Sequence, residues 1–423
     1  MAATPSRLRN GAARYREARR SLHTPASWQS RYGLDWTNFF IADVQTGFGT
    51  FVAFYLAHLG WAKSDVGIAL TTGTLAAVVI QIPGGALADA VTWKRTLVAT
   101  GIVTIGAAAL ILALAPSFVA VLFAELLHGV TGGIITPSIG AISLGLVGRS
   151  AMSLRTGRNF RFSAGGNALT AAIMGIVGAY YSESGIFLAA AGLCIPALIA
   201  LAFIRPNEID YRKARNAAKA QETRHARYRD LAKNHPLILF TAALVLFQLA
   251  DASMLPLIGE NLAQSTKQEG SLWMSGLIAT PQLVVALFAP WVGYHSERKG
   301  RKPLLLIGFA LEPVRGAVLA LSSSYVFLVA AQILDGVSGA IITVLTVLVV
   351  TDLTVGTGRF NLARGFVSAM IGLAASISTL TTGYLFQGFG PATGFLVISV
   401  VAGAATALLW MFVAESKPAK YED

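Results

Sequence analysis

Apolar residues fill the chain in blocks about 20 residues long, with short polar breaks between them. Twelve blocks can be marked, at roughly 35–58, 65–88, 96–115, 118–147, 161–181, 186–204, 237–259, 271–294, 303–322, 325–353, 363–386 and 392–414. A helix of about 20 apolar residues crosses a hydrocarbon core of ~30 Å. The pattern therefore predicts an all-α integral membrane protein with twelve transmembrane helices. The fourth and tenth blocks are the longest and are expected to tilt or project beyond the bilayer. One long polar connection, 205–236, divides two six-helix bundles, 35–204 and 237–414, and its Ala/Lys/Arg/Glu composition predicts some helix over 211–233. Residues 1–34 and 415–423 read as polar tails.

Composition removes the soluble classes. Charged residues are 13% of the 423, against about 25% in soluble proteins, and hydrophobic residues reach 54%. Mean hydropathy is +0.61. The single cysteine, Cys194, excludes a disulfide framework and a Cys-based metal site. There is no Walker loop, Gly-x-Ser-x-Gly elbow or His-Glu-x-x-His, so neither a catalytic residue nor a cofactor is expected. Energy for any transport would come from an ion gradient, with the proton gradient as the expected source.

The net charge of +12 would suit nucleic acid, but its distribution suits a membrane. Arg7, Arg9, Arg14, Arg16, Arg19, Arg20 and Arg31 face one acid, Glu17, in the first 34 residues. Basic residues crowd again between Arg205 and Lys233, with smaller groups at Lys94-Arg95, Arg149–Arg161, Arg298–Lys302 and Arg359–Arg364. Alternate loops are nearly free of them, apart from Lys63 and Lys267. That alternation marks the cytoplasmic side, which puts both termini in the cytoplasm, and no nucleic-acid partner is expected. The Arg-rich arm lacks an apolar signal-peptide core and reads as a cytoplasmic tail, with an organellar address as the alternative.

The two halves repeat. Residues 124–136, AELLHGVTGGIIT, align with 331–343, AQILDGVSGAIIT, at an offset of 207 with eight of thirteen positions identical. At an offset of 208, Gly85 and Asp89 fall on Gly293 and Glu297, and Ala42-Asp43 falls on Ala250-Asp251. Three matches at nearly one spacing indicate a duplicated six-helix unit.

The segment 293–303, GYHSERKGRKP, resembles the Gly-x-Leu-x-Asp-Arg-x-Gly-Arg-Lys loop of the major facilitator superfamily, with Glu for Asp and His for Leu. Its first copy, 85–95, keeps Gly85, Leu87, Asp89 and Lys94, followed by Arg95, but lacks the other arginine and glycine positions. The resemblance covers about residues 30–415 and implies two pseudo-symmetric six-helix bundles that alternate access to a central cavity. It further implies that the loop acids latch one state against a helix N-terminus. Asp89 would then face the start of the eleventh span near Arg364, and Glu297 the start of the fifth near Arg158 and Arg161. Gly85, Lys94, Arg95, Gly293, Arg298, Gly300, Arg301 and Lys302 complete the expected gating loops. Antiporting members carry a Gly-Pro pair followed by Gly-Gly in the fifth span; Gly166–Gly178 offers glycines and no proline, a departure that leaves direction open.

Ionisable residues within apolar spans cost at least about 2.5–3.5 kcal/mol each at a bilayer centre, so they point to function. Asp43 with Gln45 lies in the first span, Glu125 and His128 in the fourth, Asp251 after Gln248 in the seventh, and Asp335 in the tenth. The resemblance makes these four the cavity-lining spans. Gln282 adds a hydrogen-bonding group, and Trp36 and Phe40 are candidate aromatic contacts for a flat or cationic ligand. Glu312 and Arg315, spaced i, i+3 beside Pro313, read as a mutual structural pair, and Asp352 as a partner of Arg359 or Arg364. No metal site is expected.

The expectation is a monomeric, multi-pass transporter of a bacterial inner membrane, exchanging protons for a small cationic or neutral organic molecule in the export direction. Proton-coupled uptake of a nutrient or organic acid is one alternative. A non-transporting receptor or assembly protein on the same scaffold is another.

Overall fold

The computed structural model describes residues 26–418 apart from 47–51, 53–54, 57–58, 181, 218–232, 256–257, 259–269 and 322–323. The long helices are α1 (Trp28–Thr46), α2 (Lys63–Ala90), α3 (Lys94–Leu114), α4 (Phe118–Val147), α5 (Met152–Tyr180) and α6 (Glu183–Ala202). After the connection come α7 (His235–Asp251), α8 (Gly270–Lys299), α9 (Lys302–Leu321), α10 (Tyr325–Leu353) and α11 (Phe360–Phe412). The last of these holds the eleventh and twelfth expected spans. Gly390, at φ 80°, and Pro391 break it, because the glycine takes the left-handed conformation and the proline has no N–H to continue the ladder.

Nine helical segments among the described residues are long and apolar enough to cross a membrane. The three expected spans outside that set have visible reasons. α1 carries Arg31 and Asp35, and its apolar continuation lies largely outside the described residues. α5 carries Arg155, Arg158 and Arg161, and α7 is described for 17 residues only.

The described residues form two compact units, 26–217 with 354–369, and 233–353 with 370–418. The first turns of α11 thus belong with the N-terminal unit, whereas the sequence pattern assigned them to the C-terminal bundle. Inside the N-terminal unit α2 packs on α4, α3 on α4 and α6, and α1 on α5 and α6. Inside the C-terminal unit α8 packs on α10 and α9 on α10, the counterparts of α2–α4 and α3–α4 under the internal repeat. Small residues make such approach possible where lipid supplies no hydrophobic drive. A Cβ at Gly129 of α4 would lie 2.1 Å from the Gly73 carbonyl of α2.

The connection was expected to hold some helix over 211–233. Among its described residues one turn of α-helix forms, Tyr211–Ala214, capped by the Asp210 carboxylate, which accepts from the Arg212 and Lys213 amides at 2.9 and 3.1 Å. Asn216 then takes φ 60°, and the backbone bonds sideways: Gly356 N–H donates to Asn216 O at 2.9 Å, and Phe360 N–H to Arg215 O at 3.5 Å. Residues 218–232 of the expected helix, and most of the basic N-terminal tail, lie outside the described residues.

Candidate transport site

Four ionisable side chains meet inside the C-terminal unit. Asp251 ends α7, Glu312 and Arg315 sit one turn apart on α9, and Asp335 lies in α10. Arg315 Nη1 donates to Asp251 Oδ1 at 2.7 Å, to Glu312 Oε1 at 2.9 Å and approaches Asp335 Oδ1 at 3.1 Å. Arg315 and Glu312 are 1% and 0% exposed, while Asp251 and Asp335 keep 27% and 22%. Buried arginine selects such a place because its fork of donors serves several carboxylates at once. One guanidinium balances one carboxylate, so two negative charges remain to be met by protons or by a cation. Glu312 Oε2 and Arg315 Nε find no hydrogen-bond partner among the described residues.

One oxygen from each acid lies within 4.8 Å of the others, close enough for a metal ion, but the guanidinium nitrogen contacts all three acids. A cation would have to displace it. The sequence singled out Asp251 and Asp335 separately and set Glu312 and Arg315 aside as a private pair; the structure joins all four. The overlooked signal was the only Glu/Arg turn inside an otherwise apolar span.

In the N-terminal unit Glu125 is buried on α4 against Gly73 of α2, and its Oε1 has no partner among the described residues. His128 follows one turn later, half-buried. Asp43 and Gln45 fall on α1, but their side chains lie outside the described residues. Gln248 on α7 and Gln282 on α8 are half-buried. Trp36 and Phe40 stack on one another at 5.8 Å and line an open groove between α1 and α6.

A further buried ion network links α1 to α5. Asp35, 0% exposed, accepts from Arg158 Nε at 2.8–2.9 Å and pairs with Arg155, itself 2% exposed. Asn159 accepts from Arg155 Nε at 2.7 Å and donates to Ser143 Oγ at 2.8 Å. Arg158 and Arg155 thus share one buried carboxylate within their own unit. Arg161 is exposed.

The two signature loops differ. Asp89, buried at the end of α2, accepts from the Asn361 amide at 3.2 Å, Asn361 Nδ2 at 2.8 Å and the Leu362 amide at 2.9 Å. These amides open α11, where free N–H groups and the positive dipole end favour a carboxylate. Gly85 leaves room for that approach, since a Cβ there would lie 2.2 Å from Asn361 O. Asn361 Nδ2 also donates to Ala214 O at 3.2 Å, tying in the connection. Lys94 Nζ donates to Ala88 O and, at 2.9 Å, to Val91 O, closing the turn. Arg95 reaches Ile204 O at 2.7 Å, and Arg364 turns away from Asp89 to Thr136 O at 3.1 Å.

In the second loop Glu297 pairs with Arg301 at 3.0 Å, and Arg301 Nε donates to Asp352 Oδ2 at 3.1 Å. Arg301 thus bridges Glu297, four residues before it, to Asp352 of α10. All three side chains are nearly fully buried, so each needs its opposite charge close by. Gly293 is buried, Gly300 takes φ 96°, and Glu415 accepts from the Arg301 and Lys302 amides at 2.8 and 3.1 Å. Lys302 Nζ donates to Trp410 O at 2.8 Å, and Arg298 to Tyr294 Oη at 2.9 Å.

An apolar helical chain with buried ion networks and a repeated acidic loop defines a polytopic carrier fold. The sequence matches the Major Facilitator Superfamily model over residues 35–311 and 250–423, and the chain belongs to that superfamily. It is a multi-pass membrane protein with the twelve-helix fold of that family. An uncharacterized MFS-type transporter of Mycobacterium tuberculosis, present in strains CDC 1551 and H37Rv, is 35% identical over 387 residues, 90% of this chain and 93% of its own. The class B tetracycline resistance protein of Escherichia coli is 29% identical over 136 residues, 32% of this chain and 33% of its own. An MFS-type transporter of Metarhizium majus is 27% identical over 168 residues, 40% of this chain and 37% of its own.

Proposed function

We propose that this protein is a proton-coupled exporter of a small organic molecule, with a cationic or neutral substrate and no enzymatic step. The observation that carries the reading is the group of three carboxylates around one guanidinium at Asp251, Glu312, Arg315 and Asp335. Two surplus negative charges in an apolar bundle call for protons, and a cationic substrate is the species that can exchange with them. Asp43, Glu125 and His128 would supply the N-terminal share of the same task, with Gln45, Gln248 and Gln282 hydrogen-bonding the ligand. Asp89 at the start of α11 is the gating acid, and Glu297 with Arg301 and Asp352 its counterpart. The tetracycline resistance relative supports export, though only over a third of the chain. The basic loops support cytoplasmic termini in a bacterial inner membrane.

A ligand screen by thermal shift, at about pH 6 and pH 8, tests this on the purified protein and on Asp335→Asn and Asp43→Asn. A ligand at 100 times its dissociation constant stabilises by ~2.7 kcal/mol. Organic cations should stabilise the wild type more strongly at pH 8 and lose that effect in the variants. Stabilisation by organic anions, indifferent to both aspartates, would move the reading to uptake of an organic acid.

A further inference from the structure

The outer face shared by α1 and α6 carries more shape and charge than a plain lipid-facing wall. Trp28, Tyr32, Trp36 and Phe40 recur every fourth residue along α1 and form one side of a groove of about 290 Å³. Ile199 of α6 and Phe203, which caps its C-terminal end, form the other. The floor is low because Gly33 packs directly on α6; a Cβ there would lie 2.9 Å from Ala200 O. Trp28, Trp36 and Phe203 are 61%, 45% and 52% exposed, so the groove is open along its length.

Charge gathers at the end where α1 begins and α6 finishes. Arg95 Nη1 donates to Ile204 O at 2.7 Å, next to Phe203. Arg205 follows, 53% exposed and only 3.6 Å from Glu208. Arg158 lies over the Tyr32 ring at 5.3 Å and shares Asp35 with Arg155. With Arg155 buried beneath, Arg95, Arg158 and Arg205 face two carboxylates, Asp35 and Glu208, leaving a positive surplus at one mouth of an aromatic groove.

We infer that this groove binds an anionic phospholipid, with an acyl chain along the aromatic row and the phosphate at Arg95 and Arg205. α6 is apolar enough to span the bilayer, so acyl chains are what surround its outer face. Tryptophan and tyrosine belong at the headgroup boundary, and a basic pocket between helices there selects anionic headgroups. The arginines distinguish a phosphatidylglycerol from a zwitterionic phosphatidylcholine, which the groove's apolar part cannot do. The site is independent of the transport reading.

Tryptophan quenching in vesicles tests it, because Trp28 and Trp36 are two of the chain's seven tryptophans and both line the groove. The full-length protein is reconstituted in mixed phosphatidylcholine and phosphatidylglycerol, with one lipid at a time brominated in its chains. The groove signal is the difference between wild type and Trp28→Phe/Trp36→Phe. Brominated phosphatidylglycerol should quench it at a several-fold lower mole fraction than brominated phosphatidylcholine, and Arg95→Gln/Arg205→Gln should abolish that preference. If Arg95→Gln fails to fold, Arg205→Gln alone, on an exposed side chain, should reduce the preference. Equal quenching by the two lipids in the wild type overturns the proposal. So does a groove signal that disappears as protein density rises, the mark of a second copy covering the face.

Discussion

Replacing Arg315 by Gln removes the one positive charge that three carboxylates share. Breaking a buried ion network by deleting one partner costs about 3–5 kcal/mol, because the charges left behind have no water to return to. The burden falls mainly on Glu312, which is 0% exposed, rather than on Asp251 and Asp335, which keep 27% and 22%. Arg315→Gln at pH 8 should therefore unfold several degrees below the wild type. Glu312→Gln/Arg315→Gln should recover most of the loss, and Arg315→Gln/Asp335→Asn less of it, since Asp335 retains contact with solvent. Acid should narrow the gap, because protons discharge the abandoned carboxylates. Detergent-solubilised membrane proteins often unfold irreversibly, so apparent melting temperatures are compared at one scan rate, with gel filtration confirming that each variant is monodisperse. Arg315→Gln unfolding with the wild type at pH 8, or Glu312→Gln giving no rescue, would refute the idea that the guanidinium holds the cluster.

Asp89→Asn should weaken the docking of the first turn of α11. It loses a charged hydrogen bond worth ~1.5–3 kcal/mol and a dipole contribution of ~0.3–1 kcal/mol, together about 2–4 kcal/mol, or roughly 30- to 700-fold in the docking equilibrium. Hydrogen exchange of a peptide covering 360–365 should quicken accordingly, and unchanged protection would count against the latch. Gly129→Ala should destabilise by ~1–3 kcal/mol, because its methyl group has no room beside Gly73 O, whereas substitution at Gly192, with nothing within 4 Å of a Cβ, should be near neutral. Glu208 lies outside the membrane spans. Burial alone would raise its carboxyl pKa, but the Ser27 amide, the Ser30 and Ser27 hydroxyls and Arg205 together hold it below the ordinary value. Its contribution is therefore complete above the unfolded pKa of about 4.3 and fades as pH falls through the lower folded value. Glu208→Gln should flatten the acid limb of the stability profile.

The architecture was legible because it is written in blocks: apolar runs of bilayer length, basic loops alternating with neutral ones, and a repeat at an offset of 207–208. Asp89 was legible for the same reason, since a local loop pattern carries it. The ion networks were not. At an offset of 208, Glu312 and Arg315 correspond to Thr104 and Ala107, and Asp35 corresponds to Ala243, so the repeat has nothing to say about them. Asp251 and Asp335 have ionisable counterparts in Asp43 and His128, but Glu312, Arg315 and Asp35 fall opposite small or apolar side chains. Which charges meet depends on how α7, α9 and α10 are rotated, or α1 and α5, and a rotation of one residue on a helix moves a side chain by about 100°. The Glu297–Arg301 pair spans only four residues, a spacing visible in the sequence, but its extension to Asp352 depends on how α8 and α10 pack.

The most direct trial is flux. Purified protein in proteoliposomes is given an imposed pH gradient and a lipophilic organic cation such as ethidium, and cation and proton movement are followed together. Wild-type protein should drive the cation against the direction of proton flow, in either orientation of the gradient, and Asp335→Asn and Asp251→Asn should uncouple or abolish both movements. Cation flux that ignores the pH gradient, or that proceeds unchanged in both aspartate variants, would contradict proton exchange at the Arg315 cluster.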